Sequence, residues 1–414
     1  MKFIHAADVH LDSPLRGLER YEGAPLAALR CATRRAFENL ITLALTEAVD
    51  VVVLAGDLYD GEWKDYRTGL FFAQQMARLQ AADIPVCLIA GNHDAASHIT
   101  RVLRLPKNVH VFATTAPETK VFESLGVAVH GQGFATRAVT DDLSRNYPLA
   151  HSDLFNIGVL HTALDGRPGH EPYAPCSIAG LRSQGYHYWA LGHVHQHSII
   201  SQAPWIVYPG NVQGRHSREL GAKGAVLVEV SDGAVSSVTF HSLDVVRWAQ
   251  CVIDLSAVAS LDDGYDAIEA ALRAASVQAE ERLLAVRVRL NGNCALHAQL
   301  HAHHDQIVNN VRALTNGLGA SEVWLERVMI ETTSAAAPAV ADRHDALGDL
   351  LRLIRDLELD RGRQTALVQE VEDLNTRLPA ELRGGDDAFD LSQPAVLQGC
   401  LDEVKALLME RLLG

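Results

Sequence analysis

Residues 51–57 read VVVLAGD, and this stretch decides the fold class of the chain. Val51–Ala55 is a run of five apolar residues, three of them β-branched, which is typical of a strand buried on both faces of a parallel sheet. Gly56 and Asp57 follow directly, at the carboxyl end of the predicted strand. In α/β proteins, ligand-binding loops lie at this end of the strands. The stretch therefore predicts an α/β fold with Asp57 in a functional loop.

Strand-like and helix-like segments alternate on both sides of this stretch. Lys2–Ala6 and residues 84–90 are predicted strands, and residues 26–49 and 69–82 are predicted connecting helices. Closely spaced strand-like segments continue from residue 109 to residue 241. An order of β-α-β units followed by consecutive strands predicts an α/β sandwich built from mixed sheets.

The pattern divides the chain into three regions. Residues 1–243 form the predicted α/β domain. Residues 244–333 have a β-α-β-α-β order, with the second helix over 295–315, and predict a smaller α+β domain. Residues 334–414 contain leucines at helical spacing, which predict a helical C-terminal region. These leucines form either the core of their own domain or a groove for a partner helix.

The charge and the cysteines limit the class of protein. The 414 residues carry a formal net charge of −15, and the six cysteines are scattered along the chain, which indicates neither a zinc ribbon nor a disulfide framework. No apolar stretch is long enough to span a bilayer and no signal-peptide pattern is present, so we expect a cytoplasmic protein without a membrane partner. Because an acidic protein repels nucleic acid at long range, a phosphate-bearing substrate requires a local positive patch or metal ions.

Five short motifs, each after a strand-like run, carry acidic, amide and imidazole side chains. They are Asp8-Val9-His10, Gly56-Asp57, Gly91-Asn92-His93-Asp94, His161 and Gly192-His193-Val194-His195. Any one of them occurs by chance, and a lone histidine at a strand end is usually a polar cap. Five in order, several with a glycine that permits a tight turn, instead predict one site assembled from several strand ends.

These side chains are numerous enough to bind two metal ions side by side. Two ions about 3.5–4 Å apart can bind the attacking and leaving oxygens of a phosphate during in-line displacement. We expect Asp57 to bridge the ions, because a carboxylate has two oxygens. Residues two apart in an extended segment point to the same side, so Asp8 and His10 can reach one ion. His193 and His195 have the same spacing and can serve different ions, and Asn92 and His161 complete the coordination of the second ion.

The predicted ligands are nitrogen and oxygen donors without a thiolate, which favours manganese, iron or zinc over magnesium. His93 adjoins Asn92 and is expected to face the substrate, where a protonated imidazole can stabilise the transition state or donate to the leaving oxygen. Asp94 is expected to hold the tautomer of His93. The expected nucleophile is a metal-bound hydroxide.

A basic loop follows the predicted strand at residues 205–208. Arg215, His216 and Arg218 come after a Pro-Gly turn in this loop. They either neutralise substrate phosphates or belong to a solvated loop, and both interpretations stay open at this point.

The five motifs resemble those of the calcineurin-like metallophosphoesterase superfamily, whose pattern is D-x-H, G-D, G-N-H-D/E, H and G-H-x-H. More narrowly, residues 4–11 (IHAADVHL) and 56–60 (GDLYD) resemble the SbcD-type DNA repair exonucleases, and residues 208–215 (YPGNVQGR) resemble their P-G-S/N segment. Within that group the chain resembles the YhaO-like branch. The resemblance covers residues 1–240 and implies a four-layer α/β/β/α sandwich.

The resemblance also implies roles for single residues. One ion would be bound by Asp8, His10, Asp57 and His195, and the other by Asp57, Asn92, His161 and His193, with His93 catalytic. It further implies manganese, a capping domain that helps to hold DNA, and a C-terminal helical part that docks on an SMC-like ATPase of the SbcC/YhaN type.

Three functions are compatible with these patterns. The first is a DNA repair nuclease, either a 3′–5′ exonuclease or an endonuclease, that acts on single- or double-stranded DNA ends. It would work with an ATPase partner, and it is compatible with a homodimer. The second is a phosphodiesterase for small molecules such as cyclic nucleotides, which the acidic net charge favours slightly. The third is an adaptor that organises a partner ATPase without catalysis, against which the complete set of predicted ligands argues.

Overall fold

A computed structural model of the chain describes residues 1–13, 23–60, 66–96, 104–166, 173–318 and 322–334, with short separate pieces of the segment beyond residue 347. The described chain packs into two compact units, and the division falls between Trp248 and Ala249. None of the helices in these ranges is both long enough and apolar enough to cross a membrane. The predicted helical region over 334–414 lies almost entirely outside the described residues.

The first unit contains two six-stranded sheets. In spatial order, the strands of the first sheet are β12 (Ala234–Ser242), β11 (Gly224–Ser231), β1 (Lys2–Ala6), β2 (Val51–Ala55), β3 (Val86–Ile89) and β4 (Val109–Val111). Strands β1 to β4 are parallel, whereas β11 is antiparallel to both of its neighbours. All five residues of β2 are buried, as expected for a strand inside a sheet that is covered on both faces.

The second sheet is also parallel at its centre. In spatial order, its strands are β5 (Glu118–Phe122), β6 (Val127–Gly131), β7 (Phe155–His161), β8 (Tyr188–Gly192), β10 (Trp205–Tyr208) and β9 (Ser198–Gln202). Strands β6, β7, β8 and β10 are parallel, and the two edge strands are antiparallel to their neighbours. The carboxyl ends of the four central strands therefore meet at one edge of this sheet.

The two sheets pack face to face, and each has helices on its outer face. Helices α1 (Leu26–Thr46) and α2 (Arg67–Ala81) cover the first sheet, and the short helix α3 (Ile178–Ser183) covers the second. Between the sheets, side chains such as Val53 and Ile157 form a shared buried core. The unit is therefore a four-layer α/β/β/α sandwich, which confirms the predicted fold class.

Between residues 246 and 334, the described residues form a three-stranded sheet and three helices, nearly all of them in the second unit. These elements are β13 (Val246–Asp254), α4 (Leu261–Gln278), β14 (Leu283–Cys294), α5 (His297–Ala302), α6 (His304–Thr315) and β15 (Val323–Ser334). Strands β14 and β15 are parallel, and one apolar core joins the sheet to the helices. The prediction of a single helix over 295–315 is wrong, because the helix is interrupted at His303. Histidine is a weak helix former, and four histidines lie within residues 297–304.

Candidate metal centre

The five motifs lie at the carboxyl ends of parallel strands in both sheets. Asp8 and His10 follow β1, Asp57 follows β2 and Asn92 follows β3, while His161 is the last residue of β7. His193 and His195 follow β8 in the same way. Because parallel strands place their carboxyl ends at one edge, and the two sheets are stacked, loops that are distant in sequence come together here.

Several of these residues adopt a backbone conformation that most residues avoid. Asp8, His10 and Asp57 have φ values of 51°, 48° and 51°, and His193 has a φ of 98°. The left-handed region is uncommon for non-glycine residues, although aspartate and histidine are enriched in it, and residues held there cluster at functional sites. Two backbone hydrogen bonds hold the first loops in place: Asp8 donates to Gly56 (3.0 Å) and His10 donates to Asp57 (3.0 Å).

The motif glycines allow the loops to approach one another. A Cβ atom on Gly192 would lie 1.9 Å from the carbonyl oxygen of Ala55, and a Cβ atom on Gly91 would lie 2.2 Å from Oδ1 of Asp57. A side chain at either position would overlap these oxygen atoms, so a larger residue would push the loops apart. The glycines of the G-N-H-D and G-H-x-H motifs are therefore required by packing.

A first group of donor atoms lies between the two sheets. Nε2 of His10 is 3.3 Å from Nε2 of His195, and Nε2 of His195 is 3.7 Å from Oδ1 of Asp8. Nε2 of His10 is 3.9 Å from Oδ2 of Asp57. Ligands that share an ion at 2.0–2.2 Å lie about 3.0–3.5 Å from one another, so this spacing is close to that of a coordination sphere. Two ring nitrogens facing each other at this distance fit a shared cation.

A second group of donor atoms uses the same carboxylate. Nε2 of His161 is 3.4 Å from Oδ2 of Asp57 and 2.9 Å from Oδ1 of Asn92. The ring of His193 lies beside that of His161, with 5.2 Å between their centroids. Oδ2 of Asp57 thus faces an imidazole of each group, which is the position that a bridging ligand requires.

Burial and charge act in opposite directions at the two carboxylates. Asp8 and Asp57 are 1% and 2% exposed. Burial raises the pKa of Asp8. Burial alone would also raise the pKa of Asp57, but the neighbouring His161 and His10 lower it below its ordinary value. Two buried carboxylates in one site require compensating positive charge, and a divalent cation is well suited to supply it.

The tautomers of His161 and His195 are fixed by the hydrogen-bond partners of their Nδ1 atoms. Nδ1 of His161 donates to the carbonyl oxygen of Ala55 (3.0 Å), and Nδ1 of His195 lies 2.7 Å from Oε1 of Glu219. A proton on Nδ1 leaves the lone pair of Nε2 free for a metal ion. Both histidines therefore present Nε2 to the centre.

His93 is the most exposed of the histidines in the five motifs. Its side chain is 30% exposed, and its ring lies edge-on to that of His10 at 4.9 Å between centroids. Nδ1 of His93 is 2.7 Å from Oδ1 of Asp60, and this hydrogen bond raises the pKa of His93. An imidazole held beside a carboxylate and open to solvent can donate a proton to a substrate.

The role expected for Asp94 is wrong. Its carboxylate accepts backbone N–H groups of Leu58 (3.1 Å), Tyr59 (2.9 Å) and Gly91 (2.9 Å), and it is 7% exposed. These bonds occupy the carboxylate and join the loop after β2 to the loop after β3. The residue that pairs with His93 is Asp60, which is distant in sequence, so Asp94 is not the carboxylate that orients His93 and instead supports the two loops.

The three basic residues of the 209–218 loop have different positions. The guanidinium of Arg215 lies 3.7 Å from Oδ2 of Asp60 and 3.0 Å from Oε1 of Glu219, so the structure brings it into the site. His216 is exposed and lies 3.8 Å from Glu219. Arg218 is exposed, and its backbone N–H donates to Nδ1 of His216. These contacts connect Arg215 and His216 to the site and leave Arg218 at its edge.

Two carboxylates of the site were missed by the sequence interpretation. Asp60 belongs to the quoted GDLYD stretch, where its position three residues after Asp57 was the available signal. Glu219 belongs to none of the five motifs, and its charge alone does not distinguish it from other loop glutamates. Each of the two contacts Arg215 and one of the site's imidazoles.

Two family models match the chain. Residues 1–197 match calcineurin-like phosphoesterases, and residues 248–333 match the middle domain of metallophosphoesterase YhaO. Over 273 residues the chain is 35% identical to "Uncharacterized metallophosphoesterase YhaO" of Bacillus subtilis (strain 168), which covers 65% of this chain and 67% of that protein. The chain belongs to the YhaO family of calcineurin-like metallophosphoesterases.

Two solved structures are similar to parts of the chain at much lower identity. A dimetal phosphatase from Danio rerio is 14% identical, with a TM-score of 0.36. The match covers 56% of this chain and 93% of the phosphatase chain. GAP50, the anchor in the inner membrane complex of Plasmodium, is 11% identical, with a TM-score of 0.30. The match covers 58% of this chain and 88% of the GAP50 chain.

Family membership gives the site its chemistry. Calcineurin-like phosphoesterases use divalent metal ions to hydrolyse phosphoesters, and the chain holds candidate metal-binding clusters at the strand ends. These clusters are Asp8, His10 and His195; Asp8, Asp57 and His161; and His10, Asp60 and His93. The chain is therefore a metal-dependent phosphoester hydrolase.

Proposed function

We propose that the chain is a DNA nuclease of the SbcD/YhaO type that hydrolyses phosphodiester bonds at two divalent ions, with Mn²⁺ as the metal. The observation that carries the two-ion part is Oδ2 of Asp57, which faces His10 in one donor group and His161 in the other. The nuclease part is supported by the GDLYD and YPGNVQGR stretches and by the match of the second unit to the YhaO middle domain.

The donor sets fit two ions of this kind. Asp8, His10, Asp57 and His195 would hold one, and Asp57, Asn92, His161 and His193 would hold the other. Nitrogen and oxygen donors without thiolate fit Mn²⁺, and Fe²⁺ or Zn²⁺ are the alternatives. When bound, divalent cations polarise a phosphoryl oxygen and lower the pKa of a coordinated water.

The chain's own residues supply the remaining functions. The hydrogen bond from His93 to Asp60 raises the pKa of His93, and the imidazole is placed to donate a proton to the leaving oxygen. Arg215 supplies a fixed positive charge for a substrate phosphate. The loops after β1, β2 and β8 keep Asp8 and Asp57 away from bulk water, which strengthens every charge interaction in the site.

The small-molecule alternative rests on the net charge of −15, which disfavours a long polyanion outside the site itself. The two substrates separate in one assay. Purified protein with Mn²⁺ is given linear duplex DNA, single-stranded DNA and bis(4-nitrophenyl) phosphate in parallel. Cleavage of DNA at a higher kcat/KM supports the nuclease, and cleavage of the small diester alone favours the alternative.

The role of His93 is tested by His93→Gln, which removes the proton donor. We expect kcat on DNA to fall by about 10²–10⁴-fold while Mn²⁺ binding is unchanged, because the side chain faces the substrate side. His304→Gln, an exposed histidine of α6, is the matched control and should keep full activity. DNA left intact by wild-type protein loaded with two ions would contradict the proposal.

The proposed partner is an SMC-like ATPase of the SbcC/YhaN type in the cytoplasm, and a homodimer is proposed as the oligomeric state. The adaptor alternative predicts that partner binding is the whole function. An Asp57→Asn variant that complements a deletion strain as well as the wild type would favour the adaptor over the nuclease.

A further inference from the structure

The carboxylate of Glu219 lies at the centre of a hydrogen-bond network behind the metal centre. It is 6% exposed, and all of its close partners are donors. Oε1 lies 2.7 Å from Nδ1 of His195 and 3.0 Å from Nη2 of Arg215. Oε2 accepts the side-chain amide of Asn211 (2.9 Å) and the backbone N–H of Arg215 (2.7 Å). Nε of Arg215 lies 3.5 Å from Oε2 as well, so five hydrogen bonds meet the two oxygens and the carboxylate is fully used.

This network joins the two parts of the site that handle metal and phosphate. His195 is an expected metal ligand, and its carbonyl oxygen accepts a hydrogen bond from the buried Lys223 (2.8 Å). Arg215 is the cation expected to face the substrate, and it also lies beside Asp60, the partner of His93. Glu219 contacts both His195 and Arg215 and so connects the two parts of the site.

We propose that Glu219 is a positioning residue that makes metal binding and phosphate binding depend on one carboxylate. This inference rests on the proposed function. By accepting the Nδ1 proton of His195, Glu219 fixes the tautomer in which Nε2 points to the metal. By binding the backbone and the guanidinium of Arg215, it fixes the direction of the positive charge. A carboxylate that orients a metal-binding histidine typically changes metal affinity by about 10–100-fold.

Glutamine is a sharp probe of this role because it has nearly the same shape. Its amide offers one acceptor oxygen and one donor NH₂ group. If the oxygen faces His195, the NH₂ group meets two other donors, those of Asn211 and of the Arg215 backbone. If the amide is flipped, the conflict moves to His195 and the guanidinium. Either orientation leaves one half of the network unsatisfied.

The test measures Mn²⁺ affinity by titration of the metal-free protein and inorganic phosphate affinity by calorimetry of the Mn²⁺-loaded protein. Glu219→Gln should weaken Mn²⁺ binding by about 10-fold or more and should also weaken phosphate binding. Arg215→Gln should weaken only phosphate binding. Glu229→Gln changes a half-exposed glutamate of β11, and this matched control should change neither affinity.

If Glu219→Gln does not fold, the double variant Arg215→Gln/Glu219→Gln removes both members of the pair and leaves no uncompensated buried charge. Its Mn²⁺ affinity is then compared with that of Arg215→Gln alone, and a further loss of about 10-fold is expected. Equal Mn²⁺ affinity in the compared proteins would overturn the inference. Wild-type protein that binds neither Mn²⁺ nor phosphate would instead overturn the proposed function.

Discussion

His5 lies in strand β1, three residues before Asp8, and is completely buried. Nε2 donates to the carbonyl oxygen of Leu191 (3.1 Å), and Nδ1 accepts the hydroxyl of Tyr188 (3.0 Å). This arrangement satisfies a neutral imidazole, whereas a protonated ring would have two donors and one fixed acceptor. Burial lowers the pKa of His5 to about 3. The residue therefore stabilises the fold only while it is neutral.

This burial predicts a loss of stability in mild acid. The unfolded pKa is the ordinary 6.5, so the stabilisation is complete above pH 6.5 and is lost as the pH falls toward 3. Between pH 7 and pH 5 the loss is about 2 kcal/mol for this residue. Urea unfolding in a chelating buffer should show that His5→Gln loses about 2 kcal/mol less than the wild type over this range.

The control for this comparison is His304→Gln, which changes an exposed histidine and should follow the wild type. If the His5→Gln and wild-type unfolding free energies fell in parallel between pH 7 and pH 5, the buried neutral state of His5 would be refuted. A lower stability of His5→Gln at pH 7 alone would not affect this test, because only the change with pH is compared.

At the scale of elements, Asp94 connects the loops after β2 and β3. Three backbone N–H groups depend on its carboxylate, and a buried donor without a partner costs about 1–3 kcal/mol. Asp94→Asn replaces one acceptor oxygen with an NH₂ group that faces these donors. We expect it to lower the free energy of unfolding by about 2–4 kcal/mol, measured with urea in metal-free buffer.

The matched control is Asp153→Asn, an exposed aspartate of the same domain. An Asp94→Asn variant as stable as this control would show that the loops do not depend on the Asp94 carboxylate. A variant of full stability that lost activity would restore the catalytic role that the sequence suggested for Asp94.

The elements also show what the sequence can predict. Buried apolar strands such as β2 and β8 are predicted because both faces need apolar residues. The edge strands β5 and β9 were not, since ETKVF and SIISQ lack a clear apolar alternation and each pairs on one side only. The pairing of His93 with Asp60 was also missed, because adjacency in sequence favoured Asp94 over a residue in another loop.

The whole molecule is acidic, and so is its site. Asp8, Asp60 and Glu219 interact with the charge of Arg215, and the buried Lys223 interacts with Glu219 and Asp244. Carboxylates exceed these cations, so a phosphate would be repelled by the site without further positive charge. We therefore expect removal of the metal ions to abolish substrate binding as well as hydrolysis.

The carboxylate of Asp57 would bind both metal ions, and this role is tested by the Mn²⁺ stoichiometry together with electron paramagnetic resonance of the loaded protein. We expect two Mn²⁺ per chain with a spin-coupled spectrum. We also expect Asp57→Asn to lose the coupling and to bind Mn²⁺ at least about 10-fold more weakly. One Mn²⁺ per chain, or two ions without coupling in the wild type, would refute a shared Asp57 carboxylate.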